Sequence, residues 1–270
     1  MARSRVGFIG LGMMGGPMAG HLLRKKFPVY GHDLNATRCR EFKKRGGTVC
    51  PDVASVAKKA KIVIVIVGYD HEVVQVCSGA DGLIDNMARG STLVICSTMK
   101  LETIRRLERN ALRKGIYLID APVCRAEEGA IAGNLLMLGS GDKKAFARIR
   151  PVVRTFCTDI FHLGKVGSGQ VAKICNNILL WISVVANCET FGLAKRCGLD
   201  KAALVEALGV STGTNGTIHR WEKMTMPWWH KDLAIALEFA ESLKMGLPMA
   251  GLTKQLFKIY KLPKAKVPKK

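Results

Sequence analysis

Three glycines and one acid are the first residues whose types and spacing define a chemistry. Gly10, Gly12 and Gly15 form G-x-G-x-x-G directly behind an apolar run, Val6–Ile9, with a helical pattern following over Met14–Lys26. This spacing suits the pyrophosphate of a dinucleotide. Gly10 permits the tight turn, Gly12 lets the main chain approach the phosphates, and Gly15 allows the helix to pack closely with its N-terminus toward them. Leu11, Met13 and Met14 complete the turn. Asp33 closes the second strand pattern about 20 residues later, where a carboxylate holds a ribose 2′-hydroxyl. A carboxylate there repels a 2′-phosphate and favours NAD, while Arg24, Lys25, Lys26 and Arg38 keep NADP open. A glycine-rich turn with no ligand is the alternative, against which strand, glycines, helix and acid argue together.

A second candidate is Lys173, on an apolar helix beside Val171, Ile174 and Ile178. From its surroundings alone it either reaches a site or snorkels to solvent. Nine cysteines are scattered without a C-x-x-C pair or zinc-ligand spacing, so they are expected to be reduced, with no metal site. Cys124 has no His near it in sequence to activate it as a nucleophile.

The elements that must hold these residues alternate β-rich runs with helical patterns, as in a parallel sheet with crossover helices. Strands are expected at Val6–Ile9, Val29–His32, Ile62–Val67, Thr92–Cys96, Ile116–Asp120, Leu135–Leu138 and Asp159–His162. Ile62–Val67 is wholly β-branched and apolar, which marks the sheet centre. From Gly169 to Arg196 helical spacing runs without a strong breaker, and shorter helices follow at Asp200–Leu208, Leu233–Lys244 and Pro248–Tyr260. The expected architecture is α/β: an N-terminal Rossmann-type doubly wound sheet over residues 1–164, then a smaller all-helical domain over 165–262, joined through the long helix. A basic tail occupies 263–270.

With 270 residues and 48% hydrophobic content the chain can bury a substantial core, which excludes a disordered protein. Uninterrupted apolar runs fall short of the roughly 20 residues of a spanning helix, and no export signal is read at the N-terminus, so a cytoplasmic protein is expected. The net charge of +21 is the outlying feature, and after Glu241 there are eight lysines and no acid. Such a surface attracts anionic cofactor and substrate; it is also compatible with nucleic acid.

The opening Gly7-Phe-Ile-Gly-Leu-Gly-Met-Met-Gly-Gly-Pro-Met-Ala resembles the signature of the β-hydroxyacid dehydrogenases, which include 3-hydroxyisobutyrate dehydrogenase and tartronate semialdehyde reductase. The likeness continues through Cys96-Ser97-Thr98, Asp120-Ala-Pro-Val123, Gly129-Ala-Ile-Ala-Gly133, Gly167-Ser-Gly169 with Lys173-Ile-Cys-Asn-Asn177, and Lys231-Asp232-Leu233, covering about residues 5–260. The resemblance implies that Lys173 is the catalytic lysine and Asn177 its partner. Their spacing of four places both on one helix face. It also implies that Ser97 and Thr98 lie at the nicotinamide end, that Val67 and Gly68 border the cofactor, and that Lys231 closes over it. Capping of the following helix is the alternative for Ser97 and Thr98. The implied substrate is a small anionic hydroxy acid or aldehyde acid, and the implied assembly a homodimer or homotetramer.

The chain departs from the family where Asp-Ala-Pro-Val usually continues Ser-Gly-Gly, whose hydroxyl and amides hold a carboxylate. Here stand Cys124, Arg125 and Ala126. A thiol replaces poorly for a hydroxyl, and losing two glycines restricts the backbone. A guanidinium at Arg125 offers to hold a sulfonate or carboxylate instead, and it resembles the arginine of the Gly-Arg pair at the corresponding place in the sulfolactaldehyde reductase branch, which recognises a sulfonate. The segment between Gly216 and Lys231 is shorter than usual, and the family's final helix is replaced by the lysine tail. Trp221, Trp228 and Trp229 pack that shortened segment, enter a core, or meet another subunit. Three readings follow: a competent dehydrogenase, a dinucleotide-fold protein using its basic surface on nucleic acid, and an NAD-binding chain disabled by the loop changes. Intact Lys173 and Asn177 favour the first.

Overall fold

The computed structural model describes residues 3–223 and 228–260. The expected tail at 263–270 lies outside them, as does the middle of the shortened segment. By internal contacts the chain divides into two compact units, residues 1–173 and 174–270.

The first unit contains β1 (Val6–Ile9), α1 (Gly15–Arg24), β2 (Val29–His32), α2 (Ala36–Lys44), β3 (Thr48–Val49), α3 (Val53–Lys59), β4 (Ile62–Val65), α4 (Asp70–Cys77), α5 (Leu83–Asn86), β5 (Thr92–Ile95), α6 (Leu101–Arg113), β6 (Tyr117–Asp120), β7 (Val123–Cys124), α7 (Ala126–Ala132), β8 (Leu135–Gly141), α8 (Lys143–Val153) and β9 (Cys157–His162). Their order across the sheet is β3-β2-β1-β4-β5-β6-β8-β7, with β9 paired to β8. The pairs from β3 to β6 are parallel, while β8 runs antiparallel to both β6 and β7.

Because strand side chains alternate, the wholly apolar strands feed two cores. Phe8, Ile64 and Val94 pack with Met18 and Leu22 of α1 and Phe146 and Ile149 of α8 on one face. Val63, Val65, Leu93 and Ile95 pack with Val56 of α3, Val73 of α4 and Ile104 and Leu107 of α6 on the other. This is the doubly wound arrangement, with β4 near the middle as its composition required. The chain reverses direction across the sheet between β1 and β4, and ligands bind outside the carboxyl ends of strands at such a switch point.

Several boundaries differ from expectation. β4 stops at Val65 because Ile66 and Val67 turn away to meet the glycine turn and Ser97. β3 and β7 have two residues each, too few to show alternation, and were not expected. β8 extends to Gly141.

Helix α9 (Ser168–Arg196) starts in the first unit and continues in the second, followed by α10 (Lys201–Gly209), a 3-10 turn (Ile218–Lys223), α11 (Trp229–Ser242) and α12 (Pro248–Ile259). An 18-residue window of α9 has a mean hydropathy of 1.5, so by length and composition it could cross a bilayer, which its interrupted apolar runs did not suggest. Its Trp181, Val184, Val185 and Phe191 enter the second unit's core with Trp221, Leu233 and Phe257. Trp229 stacks on Phe257, their rings 4.9 Å apart, while Trp228 remains 37% exposed. Trp221 and Trp229 are thus packing residues. Buried Trp181 donates its indole N–H to Asp232 at 3.1 Å, and Asn187 is bonded to Asn215 and Thr217.

Truncating Ile64, fully buried in the central strand, removes packing from the core beneath α1. Ile64→Ala is expected to cost about 2–5 kcal/mol in urea unfolding, as deletion of a fully buried aliphatic chain does.

Candidate active site

The glycine turn lies directly after β1, at the switch point. Gly10 has φ 89°, and a Cβ there would stand 2.2 Å from the carbonyl oxygen of Ile66. A Cβ on Gly15 would stand 1.9 Å from the oxygen of Gly10. Both positions require glycine for packing. At Gly12 a Cβ would meet just the guanidinium of Arg38, at 3.3 Å, so this main chain is open to an incoming group. Helix α1 has no side-chain cap and no acid in its first turn. Among the described residues the amides of Gly12, Met13 and Met14 donate to no protein acceptor. An uncapped helix start with unpaired amides is an anion cradle, and it fits a dinucleotide's pyrophosphate. The amide of Leu11 is not part of this free set, since it donates to Asp33 Oδ2 at 2.7 Å.

Asp33 also accepts from Asn35 N at 2.7 Å, and Arg38 Nη1 lies 3.6 Å from its Oδ2. A carboxylate has about four acceptor sites, so these contacts orient Asp33 while leaving capacity for a hydroxyl. Arg38, beside both Gly12 and Asp33, supplies a cation where a 2′-phosphate would sit.

At the neighbouring strand ends, the Ser97 hydroxyl accepts from Val67 N at 2.8 Å and donates to Val67 O at 2.9 Å. Ser97 therefore ties the ends of β4 and β5 together and caps no helix. Helix α6 has Lys100 at its cap, outside both Ser97 and Thr98, with Lys100 N donating to Asp70. The amides of Gly68 and Tyr69 donate to Glu72 Oε2.

At the end of β6, Asp120 is completely buried. Its Oδ2 accepts from Ser140 Oγ at 3.0 Å and from the amides of Gly167 and Gln170 at 3.1 Å each; its Oδ1 accepts from Gln170 Nε2 at 2.8 Å. Burial pushes the carboxyl above the usual range, and the bonds from Gln170, Ser140 and Gly167 oppose that rise. Sequence reasoning passed over Gln170 and Ser140 and gave Asp120 no role of its own. The available signal was an acid at the end of an apolar strand, where burial demands partners.

Three residues after Asp120 the chain forms β7, and there Lys173 meets it. Lys173 Nζ donates to Val123 O at 2.8 Å and lies 3.6 Å from Cys124 Sγ. Cys124 is 6% exposed. The next two residues keep left-handed backbones, Arg125 at φ 83° and Ala126 at φ 51°. Glycines suit such angles, and other residues bear a cost of roughly 1–2 kcal/mol each. The loss of glycine thus leaves the chain path intact and strains it.

Arg125 has partners that its sequence did not announce. Its Nη1 lies 2.7 Å from Asp159 Oδ2, 2.6 Å from Asn134 O and 2.9 Å from Thr158 Oγ1. One arm of the guanidinium is turned to β9 and the start of β8 and paired with Asp159, both side chains remaining partly exposed at 43% and 45%.

Asn177 and Lys231 belong to the second unit. Asn177 is 3% exposed and accepts from Asn176 Nδ2 at 3.0 Å; Lys231 Nζ lies over the Trp228 ring, 5.2 Å from its centre. Within the first unit the structure joins Val67 to Ser97 and Cys124 to Lys173, and bonds Ser97 O to Gln170 on the helix that carries Lys173.

Arg38→Ala is expected to weaken NADP binding about tenfold or more, as loss of a charge-assisted bond does, and NAD binding far less, by isothermal titration. Thr158 and Arg125 hold the Asp159 carboxyl below its ordinary value. Its stabilising contribution is therefore present above the ordinary range and lost as pH falls through the depressed value, below about pH 4. Arg125→Gly gives up this pair but relieves the left-handed strain, so its melting temperature relative to wild type should rise as pH falls from about 5 to 3.

Residues 5–164 match the family model described as the NAD binding domain of 6-phosphogluconate dehydrogenase, and residues 167–265 match that described as the NAD-binding of NADP-dependent 3-hydroxyisobutyrate dehydrogenase. The 3-hydroxyisobutyrate dehydrogenase of Pseudomonas aeruginosa is 33% identical, with 94% of this chain and 91% of that protein aligned. The 2-(hydroxymethyl)glutarate dehydrogenase of Eubacterium barkeri is 31% identical over 94% of this chain and 88% of its own. The solved 3-hydroxyisobutyrate dehydrogenase of Mycobacterium tuberculosis with L-serine shares the fold, with a TM-score of 0.85 at 24% identity, over 95% of this chain and 93% of its own. This chain belongs to the β-hydroxyacid dehydrogenase family and is an NAD(P)-dependent 3-hydroxyacid dehydrogenase.

Proposed function

We propose that the protein interconverts a small anionic 3-hydroxy acid and its semialdehyde, with Lys173 accepting and donating the proton. The observation that carries this reading is the fixed Nζ of Lys173, held on Val123 O beside the Cys124–Ala126 turn. The nicotinamide cofactor, when bound, takes or gives the hydride. In oxidation the neutral amine of Lys173 accepts the hydroxyl proton; in reduction its ammonium returns a proton to the carbonyl oxygen and stabilises the charge growing there. An ammonium has three donors; Val123 O and Cys124 Sγ take two of them, leaving one for the substrate.

Gly12, Met13 and Met14 are assigned to the pyrophosphate, Asp33 to a ribose, and Val67, Gly68, Ser97 and Thr98 to the nicotinamide end. NAD is the preferred cofactor on the strength of Asp33, with Arg38 admitting NADP. Asn177 is assigned to the substrate and Lys231 to the cofactor on the family motif alone. With Arg125 Nη1 paired to Asp159, the acid is assigned to the main chain of the left-handed Arg125–Ala126 turn; a sulfonate on the remaining guanidinium donors is the alternative, which turnover of sulfolactaldehyde would favour. A cytoplasmic location and a homo-oligomer joined through the helical units belong to the same proposal, the latter supported by the exposed Leu179, Leu193 and Leu252.

The relatives' names make 3-hydroxyisobutyrate the first acid to assay, followed by other small hydroxy and aldehyde acids including sulfolactaldehyde. Lys173→Ala is expected to lower kcat by about 10²–10⁴-fold, the range for loss of a general acid–base group, while NAD affinity measured by titration stays unchanged. Comparable turnover in the variant would overturn the assignment.

A further inference from the structure

The contacts around Asp120 do more than fill a buried space. Gln170 uses its whole side-chain amide: Nε2 donates to Asp120 Oδ1 at 2.8 Å and to Ser97 O at 3.0 Å, and Oε1 accepts from Met99 N at 2.9 Å. The pattern fits one orientation of the amide, since a flip would set its NH2 against the Met99 N–H. Gly169 N donates to Ser140 Oγ at 3.1 Å, and Ser140 in turn donates to Asp120. The first turn of α9 is thus fastened at Gly167, Gly169 and Gln170 to the ends of β5, β6 and β8. A Cβ on Gly169 would lie 2.4 Å from Leu138 O, so the helix start sits directly on the sheet backbone.

Lys173 follows Gln170 by three residues, one helical turn onward. Its acceptor, Val123, follows Asp120 by three residues, the chain running from the end of β6 through Ala121 and Pro122 into β7. One buried carboxylate therefore anchors both sides of the Lys173–Val123 contact: the helix that carries the donor and the strand that carries the acceptor. We propose that Asp120 and Gln170 are positioning residues that set the location of the Lys173 amine, in addition to holding the fold together. This rests on the reading of Lys173 as the proton-transfer group.

The test uses Gln170→Leu, which keeps bulk and removes the amide, and the milder Ser140→Ala, which removes one donor from the same carboxylate and keeps the proposal testable if the first variant does not fold. Two quantities are read. The first is the rate at which formaldehyde and a borane methylate Lys173, followed by peptide mass spectrometry on the full chain. The second is kcat and KM with 3-hydroxyisobutyrate and NAD. The expected result is several-fold faster methylation of Lys173 and a kcat lowered at least about tenfold, toward the 10²-fold that a misplacement of about 1 Å costs, with the KM for NAD within about twofold of wild type. If both variants melt earlier yet methylate Lys173 at the wild-type rate, the two residues are structural and the proposal is overturned. Wild-type protein that turns over no hydroxy acid would sink the functional reading while the methylation comparison still decided the positioning.

Discussion

A carboxylate with no exposure to water must find donors inside the protein, and the way Asp120 finds them shapes the first unit of this molecule. An unpaired buried charge costs several kcal/mol, so the chain gathers a hydroxyl, two amides and a carboxamide around it. Those amides are the ones a helix start leaves unsatisfied. The acid thus solves two problems at once: its own desolvation and the open beginning of α9. Because Asp120 ends β6, the last strand of the parallel run that starts at β3, the long helix begins against the sheet at the strand ends where the glycine turn and Ser97 also emerge.

The other end of the site uses the opposite device. Helix α1 begins with no cap and no nearby acid, and the amides of Gly12, Met13 and Met14 have no protein partner among the described residues. Of two helix starts in one unit, one is closed by a buried carboxylate and the other is left open for an external anion. The physical rule is the same in both, and the difference lies in whether a residue or a ligand completes it.

Much of this was legible in the chain. The apolar run at Ile62–Val67 marked the sheet centre, near which β4 lies, and the glycines with Asp33 marked a turn suited to phosphate, because each is forced by a local constraint of burial or backbone angle. The family likeness carried Lys173 and Asn177, which composition alone left as a lysine and an amide on an apolar helix. Gln170 was not legible, since its function depends on three partners far away in sequence and a glutamine has no distinctive pattern. Arg125 was half legible for a related reason: an arginine in a loop advertises a charge, but its partner Asp159 becomes visible when β8 and β9 pair. The two-residue strand β7, which brings Val123 to Lys173, is too short for any periodic signal.

The most direct test of the account is a crystal structure of the full chain with NAD and 3-hydroxyisobutyrate bound. The account predicts the pyrophosphate on the amides of Gly12 to Met14 and the Lys173 amine within about 3 Å of the acid's hydroxyl, its helix still fastened to Asp120 through Gln170. A Lys173 side chain turned away from a bound hydroxy acid, with another group in contact with its hydroxyl, would contradict it.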